Sequence, residues 1–305
     1  MSPWLNSPVA IGVGTREIVV GARTPWLSRL RKPAPAGEPV SVPIAEDRCC
    51  TEAGVLDALH AALATPPTTQ PTTPPATTPT NGAAEVEQAS MQARSACVVL
   101  DDFWGSHAIL RGDFRTLRPR ELEEIVLAHF TDTYGVDSES LRVCFSVQRG
   151  GHTLFASAMS RALLDGIFEA SAAEQVGISR LSLCLPEMLN RLGGAADGAA
   201  EALLLFVEEE LLQAVMIEQN RWAAYDAQRL FPGDAGDASR LAELAEQLFE
   251  RSATRANAKR EDCKLYLFGI ETDLAPFEAR FAAAVPLAQP VMGGSRAHRL
   301  MEIAQ

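Results

Sequence analysis

Apolar residues along the chain recur in two patterns, short β-branched runs and stripes at helical spacing. Residues 9–13 and 18–20 are β-branched runs joined by Gly14-Thr15-Arg16-Glu17. Two such runs across a glycine-bearing turn predict a β-hairpin. Residues 39–45 predict a third strand. In residues 52–64, Val55, Leu56, Leu59 and Leu63 share one face of a helix. The same order returns later. Apolar runs at 202–207 and 211–217 flank Glu208-Glu209-Glu210, and a turn at Asn220-Arg221 leads into 222–230. A helical pattern follows at 237–258, with Leu241, Leu244, Leu248 and Phe249 on one face. Two β-β-β-α units of unlike sequence predict a duplicated architecture.

Between the units the pattern is mixed. Residues 96–100 predict a buried strand that ends in Asp101-Asp102-Phe103-Trp104. Adjacent aspartates can bind a metal or work as acid and base, but this pair reads as the polar end of a strand. A strand at 108–111, a helix over 116–134 stopped by Gly135, and a hairpin of 141–148 with 152–159 around Gly150-Gly151 complete a β-α-β-β segment. A helix at 160–176 ending at Gly177, a strand at 178–185 closed by Pro186, and a short helix at 187–192 come next. Residues 193–200 are a Gly- and Ala-rich linker. The chain then predicts a strand at 263–268 ended by Gly269, a helix at 274–284, an extended piece at 286–291 and a last helix at 295–304.

Composition narrows the picture. Residues 65–80 are almost entirely Thr and Pro, with too little apolar surface to fold, so disorder or polyproline II is expected there. The basic stretch 26–32 is too short for a stable amphipathic helix and reads as a solvated loop. A net charge of −12 argues against a nucleic-acid surface. No apolar run approaches bilayer length, and Met1-Ser2-Pro3-Trp4-Leu5-Asn6 lacks the charge and apolar core of a secretory signal. A cytoplasmic protein is expected. Of six cysteines, Cys97, Cys144, Cys184 and Cys263 sit in or beside apolar runs and read as buried thiols, while Cys49-Cys50 is an adjacent pair beside a helix start. With no Cys-x-x-Cys spacing and five scattered histidines, no metal site is expected. Gly12 and Gly14 would let backbone amides approach an anion, yet the stretch taken alone reads as a plain hairpin.

The order of elements resembles the actin-like proteins of bacterial pilus and secretion machines, the family of PilM of type IV pilus assembly and the cytoplasmic domain of GspL of type II secretion. Ala10-Ile11-Gly12-Val13-Gly14-Thr15 lies where those proteins carry a Gly-Ile-Asp-Ile-Gly-Ser type turn. Val98-Val99-Leu100-Asp101-Asp102, the Pro186-Glu187-Met188-Leu189-Asn190-Arg191 run and Leu265-Tyr266-Leu267-Phe268-Gly269 extend the match.

The resemblance implies an α/β, two-lobed actin-like (ribonuclease H-like) fold with a small β-α-β-β subdomain inserted in the first lobe. Residues 1–106 and 160–195 would form that lobe, with 65–82 as a Thr/Pro-rich insertion. Residues 107–159 would be the insert and 196–305 the second lobe. It also implies a nucleotide cleft, whose cofactor-binding positions here would be Gly12, Gly14, Thr15 and Gly269. The Asp that helps organise metal and phosphates in ATP-binding members is Gly12 in this chain, and residues 202–210 carry no Asp-Ile-Gly type turn. A magnesium–phosphate complex loses its anchoring oxygens without such carboxylates. The expectation is a pseudo-ATPase with a degenerate cleft, no catalytic residues and no cofactor. It would be a scaffold peripheral to the inner membrane, with a PilN-like or GspM/GspL-like membrane partner and a motor ATPase as a further one. The alternative class is an ATP-dependent enzyme of the actin and sugar-kinase superfamily.

Overall fold

The structure is a computed structural model that describes residues 8–23, 38–64, 94–192, 201–256, 259–287 and 294–305. The expectations for 26–32, for the Thr/Pro segment 65–80 and for the linker 193–200 lie outside these residues. The chain falls into two compact units. The first holds residues 1–101, 165–182 and 294–305, and the second holds 102–164 and 183–293.

The first unit is built on a five-stranded sheet. Its strands are β1 (Val9–Val13), β2 (Glu17–Ala22), β3 (Val40–Pro43), β4 (Arg94–Leu100) and β8 (Val176–Leu183), in the order β3-β2-β1-β4-β8. The hairpin pairs Ile11 with Val20 and Val13 with Ile18, and β4 joins β1 in parallel. Helix α1 (Glu52–Ala64) packs on β2 and β3 through Val55, Leu59 and Leu63, all buried. Helix α7 (Arg296–Ile303) packs on β1, β2 and β4, with Ser295 as its N-cap. Helix α3 (Arg161–Ala173) contributes its later turns, where Gly166 admits Leu56 of α1.

The second unit carries a five-stranded sheet of the same topology. Strands β9 (Glu201–Val207), β10 (Leu211–Glu218), β11 (Arg221–Arg229), β12 (Lys264–Phe268) and β13 (Ala283–Leu287) run in the order β11-β10-β9-β12-β13. β9, β10 and β11 are antiparallel neighbours, and β12 runs parallel to both β9 and β13. Helix α5 (Ala238–Ala256) seals the sheet with Leu241, Leu244, Leu248 and Phe249. The duplicated order predicted from the hydrophobic pattern is therefore present strand for strand.

A third sheet, β5-β7-β6, belongs to the second unit: β5 (Gly105–Arg111), β6 (Leu141–Val147) and β7 (Thr153–Ser160), all antiparallel. Helix α2 (Pro119–Tyr134) covers one face with Leu122, Val126 and Phe130, and Gly135 ends it in the left-handed conformation at φ 67°. Helix α4 (Cys184–Arg191) and the short α6 (Ala275–Glu278) complete the element list. No helix among the described residues is long and apolar enough to cross a membrane.

Four local expectations are corrected. Gly177 does not stop α3; it lies inside β8, and the left-handed turn is made by Gln175 at φ 57°. Pro186 does not close a strand; it sits in the first turn of α4, where its missing N–H costs no helical bond. The pattern at 274–284 gives only the single turn of α6, because Ala283 and Ala284 pair with Lys264 and Leu265 as part of β13. Cys144 is exposed rather than buried, since it alternates onto the outer face of β6.

Candidate functional site

The turn expected to meet phosphate is built for packing. Gly12 and Gly14 are both buried. A Cβ on Gly12 would lie 2.0 Å from the Ala297 carbonyl oxygen and 2.3 Å from the Met301 nitrogen, both backbone atoms of α7. One on Gly14 would lie 3.3 Å from the Ala297 Cβ, and one on Gly21 would lie 2.8 Å from the Met301 sulfur. The three glycines thus let a helix backbone rest on the sheet. The Gly14 N–H donates to Glu17 O at 3.0 Å and closes the hairpin, while Thr15 O accepts from Cys50 N at 3.2 Å. Gly269 belongs to the second unit, just after β12, where φ 98° selects glycine. Asp101, at the end of β4, accepts from Arg296 Nε at 2.7 Å, and its own N–H donates to Val13 O at 2.9 Å. That ion pair ties α7 to the sheet end.

Asp102 opens the second unit and is the hub of a buried polar network. Its side chain and that of His107 are wholly enclosed. The Leu185 N–H, in the first turn of α4, donates to both carboxylate oxygens at 3.0 and 2.9 Å. Gln213 Nε2 donates to Oδ2 at 3.1 Å, and Tyr225 Oη donates to Gln213 Oε1 at 3.0 Å. His107 Nε2 donates to Oδ1 at 2.9 Å, and Ser157 Oγ lies 2.8 Å from Nδ1. Burial alone would raise the Asp102 carboxyl, but the hydrogen bond and charge of His107, with Leu185 and Gln213, outweigh it and hold it below its ordinary value. Burial, with the charge of Asp102, pushes the Tyr225 hydroxyl well above its usual range, so it stays a donor.

Serine, histidine and aspartate in a row have the connectivity of a hydrolytic triad. The geometry argues for a structural spine instead. Ser157 and His107 are a directly opposed cross-strand pair, and the ring and carboxylate are sealed from any substrate. Asp102 also approaches Cys184 and Glu208, whose ligand-type atoms lie within 4.8 Å of one another and of the carboxylate. The oxygens of Asp102 already accept from three donors, so the cluster is part of the same network. Sequence reading missed this hub because Gln213 lies 111 residues from Asp102 and only the fold joins them. The local signals were Asp102 itself, at the end of a buried strand, and His107 within the strand 105–111.

The second unit also bears an apolar pocket of about 220 Å³ beside its small sheet. Phe103, Trp104, Phe130, Tyr134, Val136 and Met159 line it. Phe130 is fully buried and stacks on Tyr134 at 6.0 Å, whereas Tyr134 is 52% exposed and Val136 37%. The floor is therefore fixed by the core and the rim is open. Arg229 lies 4.8 Å above the Phe103 ring and holds it by a cation–π contact. Phe103 and Trp104 directly follow Asp101-Asp102, the pair that the sequence reads as the polar end of a strand.

No known family profile matches the chain, and no curated protein matches it. Solved structures do. A Bacteroides thetaiotaomicron protein described as having an actin-like ATPase fold and unknown function aligns with TM-score 0.57 and 8% identity over 94% of each chain. The PilM–PilN type IV pilus biogenesis complex aligns with TM-score 0.53 and 12% identity, over 92% of this chain and 88% of the other. The cytoplasmic domain of EpsL, an inner-membrane component of the type II secretion system of Vibrio cholerae, aligns with TM-score 0.50 and 11% identity, over 97% and 93%. Read with the duplicated sheet topology, these likenesses establish that the chain has the actin-like fold, as its pattern of elements implied.

Proposed function

We propose that this chain is a non-catalytic assembly protein that holds a short apolar segment of a PilN-like inner-membrane protein in its aromatic pocket. The observation that carries the reading is the pocket itself. At about 220 Å³ it is smaller than the ~300–1,000 Å³ sites that enclose drug-sized ligands, so its size suits a few side chains rather than a nucleotide. Its half-exposed Tyr134 over a rigid floor is the arrangement of an interface hot spot. Likeness in fold to the PilM–PilN complex supports the choice of partner class. Such a partner would keep the protein on the cytoplasmic face of the inner membrane, within reach of a motor ATPase.

The turn residues do not fit a magnesium nucleotide. Gly12 brings no oxygen, and the backbone of α7 fills the space that a side chain there would enter. This supports the pseudo-ATPase reading over the enzyme alternative. Calorimetric titration with peptides from the cytoplasmic segments of pilus and secretion membrane proteins tests the proposal. Tyr134→Ala and Met159→Arg are expected to weaken binding about tenfold or more. Equal affinity in wild type and both variants would overturn the pocket as the docking site.

A further inference from the structure

The loop that leads from β3 into α1 carries two adjacent cysteines, and its backbone turns both to one side. Cys49, at φ −55° and ψ 145°, is followed by Cys50 at φ 59°. The Thr51 N–H donates to Arg48 O at 3.3 Å across them, which makes Arg48 to Thr51 a type II turn with cysteine at both corners. A left-handed φ directly after an extended ψ brings the two Cβ atoms to the same side of the chain, whereas neighbours in a strand point to opposite faces. Glycine is the ordinary residue at the second corner, because a Cβ there crowds the backbone. The turn is held at both ends. The Cys50 N–H donates to Thr15 O at 3.2 Å, and Thr51 Oγ1 accepts from Gly54 N at 3.1 Å as the cap of α1. Neither cysteine is in a disulfide, and both are half-buried. Cys97, Cys184 and Cys263 are buried, and Cys144 is the single cysteine of β6.

We propose that Cys49 and Cys50 form a two-sulfur site for a soft monovalent cation, copper(I). Two thiolates on one side of a fixed turn grip an ion from two points, and thiolate sulfur selects soft ions over magnesium or calcium. Zinc and iron–sulfur centres need four ligands. Among the described residues, the one group of three metal-type ligands within reach of each other is Asp102, Cys184 and Glu208, in the second unit. The pair is therefore a two-ligand site, and copper(I) is an ion that accepts two sulfurs in a line. A disulfide fits the turn less well. Adjacent Cα atoms across a trans peptide lie about 3.8 Å apart, below the roughly 4.4–6.8 Å that a disulfide ordinarily spans. An ion between the sulfurs removes that constraint. On binding, each sulfur gives up its proton to solvent as its bond to copper forms, and no electron changes hands. Cys49 Sγ donates to Ile44 O at 3.7 Å, a weak contact that the thiolate gives up.

Anaerobic titration of the full, reduced chain with copper(I), in competition with the chromogenic chelator bicinchoninate, tests this. The wild type is expected to take one copper per chain and to show an ultraviolet sulfur-to-copper charge-transfer band. Cys50→Gly separates the ligand from the fold, because it puts at the second corner the residue that the turn favours. It is expected to keep or raise the melting temperature. Its copper affinity is expected to fall about a hundredfold or more, the gain that a second tethered sulfur supplies. Cys49→Ser is expected to lose binding likewise, and Cys144→Ser to leave it unchanged. A wild type that takes no copper(I), binding that survives Cys50→Gly, or binding that falls with Cys144→Ser would overturn the proposal.

Discussion

Asp102 shows how one side chain can join distant parts of a chain. It holds the first turn of α4, the side chain of β10 at Gln213 and the ring of β5 at His107. Replacing it by Asn removes the charge and keeps one acceptor oxygen, but sets a buried NH2 donor against the donors that faced the other. Asp102→Asn is therefore expected to destabilise the protein by about 3–5 kcal/mol at neutral pH, the usual cost of breaking a buried pair. The folded carboxyl titrates below its unfolded value of about 3.9. Its contribution is thus complete above the unfolded value and is lost as pH falls through the folded one. The stability gap between wild type and variant should stay constant down to about pH 4 and shrink below it. Denaturant titrations across that range check the sign; a gap that widened in acid would contradict it. The sequence showed the aspartate but not its role, because none of its three donors adjoins it in the chain.

At the scale of elements, the hydrophobic pattern was legible where a helix has one apolar stripe or a buried strand is one continuous apolar run. β1, α1 and the hairpin of β9 with β10 fall where the pattern put them. It failed where tertiary pairing overrode local preference, as at Ala283 and Ala284, which helical spacing claimed and β12 took as a partner strand. The glycines of the first hairpin were visible, but their reason was not, since it lies almost three hundred residues away in α7. Gly12→Asp is accordingly a packing fault rather than a restored ligand. Its side chain enters the α7 backbone, and a loss of about 3 kcal/mol or more is expected from overpacking and a buried carboxylate together. Thermal melting of the variant measures this, and an unchanged melting temperature would show that α7 yields freely.

For the whole molecule, topology was the most legible feature and chemistry the least. Two sheets with the order 3-2-1-4-5 follow from the repeated run of hairpin, strand and helix, even though their sequences share nothing obvious. At the two turns where the resemblance would place metal- and phosphate-binding aspartates, this chain carries Gly12 and Glu208-Glu209-Glu210. Gly12 is covered by α7, and Glu208, at the turn before β10, is buried beside Asp102 rather than offered to solvent. Titration with Mg-ATP is expected to give no saturable heat, and tight magnesium-dependent binding would refute the pseudo-ATPase reading. The dependence of β1 on α7 also sets an order of assembly. A ribosome delivers residues 9–13 long before 296–303, yet each needs the other to bury its apolar face. The second unit, complete by residue 293, has all its strands in hand earlier. The first unit therefore begins before the second and closes after it, and until synthesis reaches α7 its glycine-paved sheet stands open to whatever chaperone the cell supplies.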